Sequence, residues 1–558
     1  MAHDQDAISR LPNKDSLVVQ IINSVEPGSF HEDVPDTLRI YEADENKDGH
    51  GPLRSPSVEI RDITAGVLQD SKDSSSITDS ESEQSQYKCD AEQPYHLFSL
   101  KQKWSVVIII GLAGLFSGLS SNIYFPSLNQ ISQELHVSSN SVSLTITSYL
   151  VVQGISPVIW GAFSDALGRR PIYIASFSVY IVANIALSFS PSFAILLIFR
   201  GLQAAGSAST VSIVRNFSIA VGPVLGGVLG NYLGFRSIFI FLLILSSLVL
   251  VTIVGFLPET MRRLAGDGHL RQKGIYQPLM YKFVKEPSYI SDPEEEAASA
   301  KKSISLATFV EPLRLLTQKE IILNLIYGGV IYAIWSMVTS STTSLFQSNF
   351  GLDETLIGLA YLPNGLGTII GSAIVGRQMT QDYKAAEAAY IVEKQLPAEY
   401  KVPAKDLPLD FPVEKARQRS LPLFTVLFVI STGLYGFSVS SHRLSARPGW
   451  IAVPLLLQFL IAASSNAVFA MNQTLISDLC PGKGAGGTAV NNLVRCGLGA
   501  IGVSFVERMI GAMGPGPAFL TLALITVACI PLAVVTWVWG MEWRAARAQR
   551  RAKQIEKV

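Results

Sequence analysis

Twelve apolar stretches separated by polar blocks constrain this chain more than any other feature. They fall near residues 104–126, 142–161, 172–189, 193–214, 217–233, 238–257, 321–344, 355–375, 421–439, 450–474, 487–506 and 518–539. Most approach the ~20 residues that a helix needs to cross ~30 Å of hydrocarbon. The polar residues are not spread evenly through the 558-residue chain, of which 48% is hydrophobic. They gather at 1–103, 261–319, 377–419 and the C-terminus, so a set of soluble domains is excluded and an all-α integral membrane protein is expected. Six spans before the 261–319 block and six after it form a duplicated architecture, with substrate bound where the halves meet.

The expected organisation is a disordered acidic cytosolic tail (1–100), an N-terminal six-helix bundle (101–258), a cytosolic central loop (259–319), a C-terminal six-helix bundle (320–541) with a long cytosolic loop (377–420), and a basic cytosolic tail (542–558). The tail is poor in aromatics and rich in Ser, Asp and Glu, too polar to offset chain entropy by burial. Residues 71–85 within it read as a solvated linker or as an acidic kinase target. Arg and Lys near span ends place the central loop and both termini in the cytosol, which requires an even number of spans. The net charge of zero says nothing of partners. Cys89, Cys480, Cys496 and Cys529 have no framework or metal-ligand spacing, so no disulfide and no metal is expected. No nucleophile, metal cluster or phosphate loop is legible, so an enzyme is not expected, and nothing points to nucleic acid. The opening residues lack the basic-then-apolar pattern of a signal peptide, so none is expected ahead of the first span. Asn216-Phe-Ser and Asn472-Gln-Thr fit a glycosylation pattern but lie on the wrong side or inside a span.

Two short stretches concentrate glycine and charge. Gly161, Asp165, Gly168, Arg169, Arg170 and Pro171 lie between spans two and three, where glycine permits a tight turn and the arginines mark the cytosolic face. In span five, Gly222, Pro223, Gly226 and Gly227 combine a helix-bending proline with room for close approach of a neighbour. The sharpest single residue is Arg200 in span four, because a guanidinium in hydrocarbon is costly unless it faces a polar interior. Other polar residues at membrane depth are cavity candidates: Asn122, Tyr124, Gln203, Trp335, Thr339, Asn364, Asn466 and Asn491, with Asn492 and Arg495. Each could equally hold helix to helix. Arg495 is placed near the inner end of span eleven, where it could snorkel. Glu507 is the one carboxylate found in the second half's spans, and Arg508 beside it suggests an interfacial pair.

These motifs resemble the major facilitator superfamily. The Gly161–Pro171 spacing is similar to that family's latch between spans two and three, and 200–206 (RGLQAAG) to its span-four motif, whose arginine is tied to proton coupling. The 222–227 stretch resembles its antiporter motif, except that Ser218 stands where a glycine is usual. Residues 257–278, 335–343, 361–367 and 491–496 resemble the fungal twelve-span drug:proton antiporters, in the branch of quinidine-resistance, dityrosine and polyamine exporters. The resemblance implies two six-helix bundles related by a pseudo-two-fold axis. It implies a monomeric plasma-membrane antiporter that moves a drug or fungal secondary metabolite out by alternating access. The proton gradient is the driving force and no cofactor is needed. A positive charge at Arg200 would link a nearby or substrate carboxylate to protonation. The chain also departs from the family. Arg200 and Pro223 are closer than usual by roughly one span (~20 residues), leaving only Arg215 and Asn216 for the intervening turn, and no acidic residue ends span four. A non-transporting paralogue or sensor is therefore the second reading.

Overall fold

A computed structural model describes residues 98–555, apart from 209–214, 267–271, 273, 284–305, 398–399, 404–406, 441–444 and 482–483. The expectations for residues 1–97 and for residues 267–271, 273 and 284–305 of the central loop lie outside the described residues. Twelve principal helices follow in order: α1 (Leu100–Asn122), α2 (Ser139–Leu167), α3 (Arg169–Ser188), α4 (Phe193–Ser207), α5 (Arg215–Leu233), α6 (Arg236–Phe256), α7 (Lys319–Phe350), α8 (Leu362–Glu393), α9 (Leu421–Ser438), α10 (Ala452–Leu479), α11 (Gly484–Met513) and α12 (Pro515–Ile555). Among the described residues, ten helical segments are long and apolar enough to cross a membrane. The two principal helices outside that set are α4, with 15 residues, and the glycine-interrupted α5, with 19.

Local signals set several ends. Ser99 and Gln102 form a capping box at the start of α1. Ser138 accepts from the Ser141 amide at the start of α2. Large side chains such as Ile244, Leu248 and Val251 on α6 are exposed, as a lipid-facing surface requires.

The two halves meet along α2 against α11 and α5 against α8. Both seams use small residues so that backbones can approach. A side chain at Gly154 would press on Cys496 at 3.1 Å, and one at Gly365 would overlap Ala220. Polar bonds cross the same seams: the Asn492 amide donates to the Gln153 carbonyl (2.8 Å), Thr147 and Ser504 share a hydrogen bond (2.9 Å), and Asn216 donates to Ser372 (3.1 Å).

Three expectations change here. Arg215 and Asn216 do not form the turn between spans four and five; they begin α5, and α4 is described to Ser207. Residues 377–393 are not loop but the continuation of α8, with Gly376 and Asp382 inside it. The segment 377–393 holds no glycine or proline and several strong helix formers, so nothing stops the helix before Pro397. Nor is 542–555 a free tail. It is the end of α12, with Arg544 paired to Glu414 (3.1 Å) and Arg547 to Glu320 (3.1 Å).

Candidate functional site

A cavity of about 60 Å³ lies between the halves, bordered by α1, α2, α4, α5, α7 and α11. The end of α1 supplies Ser117, Ser121 and Asn122; α7 supplies Tyr332, Trp335 and Thr339. Arg200 enters from α4 and Arg495 from α11. Their residual exposures are 1% and 4%, so neither snorkels to the surface.

Arg200 lies between two rings, its guanidinium carbon 4.1 Å from the centre of Tyr124 and 4.5 Å from that of Tyr149. Such stacking is worth ~2 kcal/mol when desolvated. It donates to the Ser120 carbonyl (3.1 Å) and to Gln203 Oε1 (2.6 Å), one helical turn along. Gln203 in turn donates to Asn184 Oδ1 (2.7 Å), and Asn184 to the Tyr180 carbonyl (2.8 Å). The rings are themselves held. Tyr124 shares a hydrogen bond with Thr145 (2.9 Å) and Tyr149 with Ser207 (3.0 Å). α4 is short but firmly docked on α2: Trp160 donates to the Ala205 carbonyl (2.7 Å) and Ser148 to that of Leu197 (3.0 Å).

The candidate polar residues divide into two groups. Asn122, Trp335 and Thr339 line the cavity. Tyr124 and Gln203 hold Arg200, and Asn364 accepts from the Trp335 indole (2.9 Å). Asn466 donates to the Thr368 carbonyl (2.9 Å) and to Ser372, and Asn491 to Gln473, so both join helices away from the cavity. Glu507 accepts from Ser344 (2.9 Å). Arg495, also a candidate, lines the cavity. Ser117, Tyr149, Gln153, Tyr332 and Ser336 are polar lining residues that sequence reasoning did not single out as cavity residues.

The residues of the expected latch are brought together only in part around the α2–α3 turn. Gly161 sits inside α2, with open space around it, and takes no part in the turn. Gly168 makes the turn alone, at φ +98°, and a side chain there would meet Glu259 Oε2 at 2.7 Å. Arg170 is buried and donates to the carbonyls of Leu257 (2.6 Å), Val254 (2.7 Å) and Ile275. Two of those carbonyls belong to the last turn of α6 and the residue after it, where the helix offers no intrahelical donor. Glu259, just beyond α6, accepts the backbone amides of Arg169 (3.1 Å) and Arg170 (3.0 Å) at the start of α3, where a negative charge is favoured. The carboxylate absent from span four thus has a counterpart after span six. Arg169 and Asp165 are exposed; the Asp165 carbonyl accepts from Arg263 (2.6 Å).

The antiporter-like stretch on α5 is a packing seam. A side chain at Gly226 would strike the Ile123 carbonyl of α1, and one at Gly227 the Glu354 carbonyl of the second half. A Cβ at Gly222 would lie only 3.2 Å from that of Asn122, and the Pro223 carbonyl abuts Gly358. The helix around Pro223 therefore touches both α1 and the second half.

Comparison with known proteins decides the family. The sequence model of the Major Facilitator Superfamily matches residues 110–218 and 209–386. The protein called Citrate exporter 1, from Aspergillus niger, is 42% identical over 480 residues, spanning 82% of this chain and 90% of the relative. The chain belongs to the Major Facilitator Superfamily. Within it, the resemblance to the fungal drug:proton antiporters holds. MFS antiporter QDR2 of Candida albicans is 29% identical over 80% of the chain and 90% of the relative. Multidrug transporter QDR2 of Candida glabrata is 28% identical over 78% and 79%. The protein is a multi-pass membrane transporter rather than an enzyme. The two stretches matched by the superfamily overlap at 209–218, between the described end of α4 and the first turn of α5.

Proposed function

We propose that this transporter exports a small organic compound across the plasma membrane by alternating access, driven by the proton gradient and without a cofactor. Both termini then face the cytosol, in keeping with the arginines of the last turns of α12, and the working unit is a monomer. The observation that carries the reading is Arg200, buried at a cavity shared by the two halves and fixed there by Tyr124, Tyr149 and Gln203. A guanidinium held at such cost in a membrane bundle has work to do on a cargo or a proton. The relatives' names include a citrate exporter and multidrug transporters, so they support efflux of organic compounds as a class.

In this reading the Gly168–Arg170–Glu259 cluster closes one end of the first half, and the seams of α2 with α11 and α5 with α8 are the surfaces across which the halves rock. Arg200→Ala is expected to abolish efflux of labelled citrate and of a fluorescent drug from loaded cells while the protein stays in the membrane. Undiminished efflux of both would count against the reading.

One observation favours a non-transporting member: α4 has 15 residues and the superfamily match divides at its end. At 1.5 Å per residue such a helix spans about 22 Å, less than the hydrocarbon core. Efflux measured with and without about 20 residues inserted between Ser207 and Arg215 separates the two. Efflux that starts only after insertion establishes the second reading.

A further inference from the structure

We infer that the cargo is a compact organic polyanion with two or more carboxylates, one taken by Arg200 from the first half and another by Arg495 from the second. This rests on the transport reading above and narrows it to a chemical class.

The two arginines are built alike, on helices of different halves. Arg495 also lies between two rings, 4.5 Å from the centre of Tyr332 and 4.5 Å from that of Phe469. Like Arg200, it donates to a neutral amide three residues away on its own helix, Asn492 in place of Gln203. Stacking covers the faces of both guanidiniums and leaves their edges, the planar N–H forks that match a carboxylate. Among the described residues neither forms an ion pair, and the Nε of each is buried without an acceptor. No Asp or Glu lines the cavity. Two cations thus face one cavity with no protein counter-charge.

That arrangement selects among cargoes. A buried cation without an anion costs several kcal/mol, so an anion gains from both sites, a neutral compound from neither, and a cation is repelled. A single carboxylate leaves one guanidinium uncompensated. Ser117, Ser121 and Thr339 add hydroxyls that suit a hydroxylated acid. The cavity is about 60 Å³, against the ~300 Å³ or more of sites for drug-sized ligands, which favours a compact acid.

Full-length protein purified into proteoliposomes tests this with four compounds: citrate, succinate and acetate, which carry decreasing numbers of carboxylates, and the cationic dye rhodamine. Uptake and thermal stabilisation in detergent are both measured. Citrate and succinate are expected to be moved at least ~10-fold faster than acetate, a difference of 1.4 kcal/mol, and to raise the melting temperature, with rhodamine doing neither. Arg200→Gln and Arg495→Gln are each expected to lose the citrate stabilisation and at least ~10-fold of citrate uptake. Should either fail to give a monodisperse protein, Arg200→Lys and Arg495→Lys keep the charge without the fork, and part of the citrate uptake is expected to survive. Acetate moved as fast as citrate, or citrate uptake undiminished in a folded Arg495→Gln protein, overturns the inference. Rhodamine moved while citrate neither moves nor stabilises overturns the inference and leaves the transport reading standing. If none of the four compounds moves or stabilises, both fall.

Discussion

The α2–α3 corner turns on one residue, whereas the α8–α9 corner, at the corresponding place in the second half, spends residues 394–420 on the same task. In the first half, Gly168 reverses the chain, Arg170 supplies donors to the open end of α6, and Glu259 accepts from the open start of α3. In the second half, α8 runs on to Glu393 and a small core forms against it, with Phe411 edge-on to Tyr390 at 5.4 Å. Buried ion pairs then tie in α12 through Arg544 and Glu414 and α7 through Arg547 and Glu320. One corner satisfies helix ends with charged side chains on backbone groups. The other covers them with extra chain and pairs charge with charge, Arg544 donating also to the carbonyls of Pro408 and Phe411. The first depends on backbone groups in fixed positions; the second depends on charge balance and packing, which tolerate exchange.

The comparison breaks first at the second corner. Arg544→Ala leaves Glu414 buried without its partner and is expected to cost about 3–5 kcal/mol, read as thermal unfolding of purified protein. Replacing both, Arg544→Met with Glu414→Leu, is expected to restore most of that stability. No recovery would show that this pair, too, works on backbone groups, through the carbonyls of Pro408 and Phe411.

The matching loss at the first corner is expected to be irreparable. Arg170→Ala withdraws donors from three carbonyls, costing about 3 kcal/mol, and Arg170→Met should do no better, since no apolar residue donates to a carbonyl. Recovery in the methionine variant, judged by melting temperature, would erase the distinction between the corners.

The motif's two glycines sharpen the contrast on a smaller scale. Gly168→Ala forces a side chain into positive φ and against Glu259, at about 1–2 kcal/mol. Gly161→Ala, in open space within α2, is expected to stabilise by about 0.5–1 kcal/mol. Equal effects in a thermal shift assay would mean that both take part in the turn.

The smallest effect lies at the rim of the second corner, where Lys394 meets Asp410 at 2.6 Å with both side chains largely exposed. The Lys394 ammonium, helped by the Tyr390 hydroxyl, holds the Asp410 carboxyl below its usual range. Its contribution is therefore complete above about pH 4 and disappears as the pH falls through the lowered value. Asp410→Asn should shift the melting temperature slightly at pH 7 and not at all once wild-type Asp410 is protonated.

The fold was legible because lipid leaves few choices. Runs near 20 residues, two groups of six and charged connections were enough to place α1 to α12. Boundaries drifted where hydropathy is silent about helix, as in α8, whose polar extension continues for 17 residues past Gly376. Arg200 was legible for the same reason as the spans, since an isolated charge in an apolar run needs a purpose. Arg495 was legible as a cavity candidate, with snorkelling as the alternative, and the packing of Tyr332 and Phe469 on its faces shows that it is held inside. Glu259 escaped because its partners are backbone amides, which leave no mark in a sequence.

By itself the sequence determined a twelve-helix transporter of two halves, the glycine at the α2–α3 turn and the guanidinium at membrane depth, since each follows from burial cost or backbone geometry along a local stretch. Tertiary structure alone decided that Arg215 and Asn216 open α5, that a carboxylate beyond α6 caps the start of α3, and that Arg495 is stacked between rings as Arg200 is. Those depend on which groups meet across helices far apart in the chain, and hydrogen-bond partners at such separations are set by packing, not by local pattern.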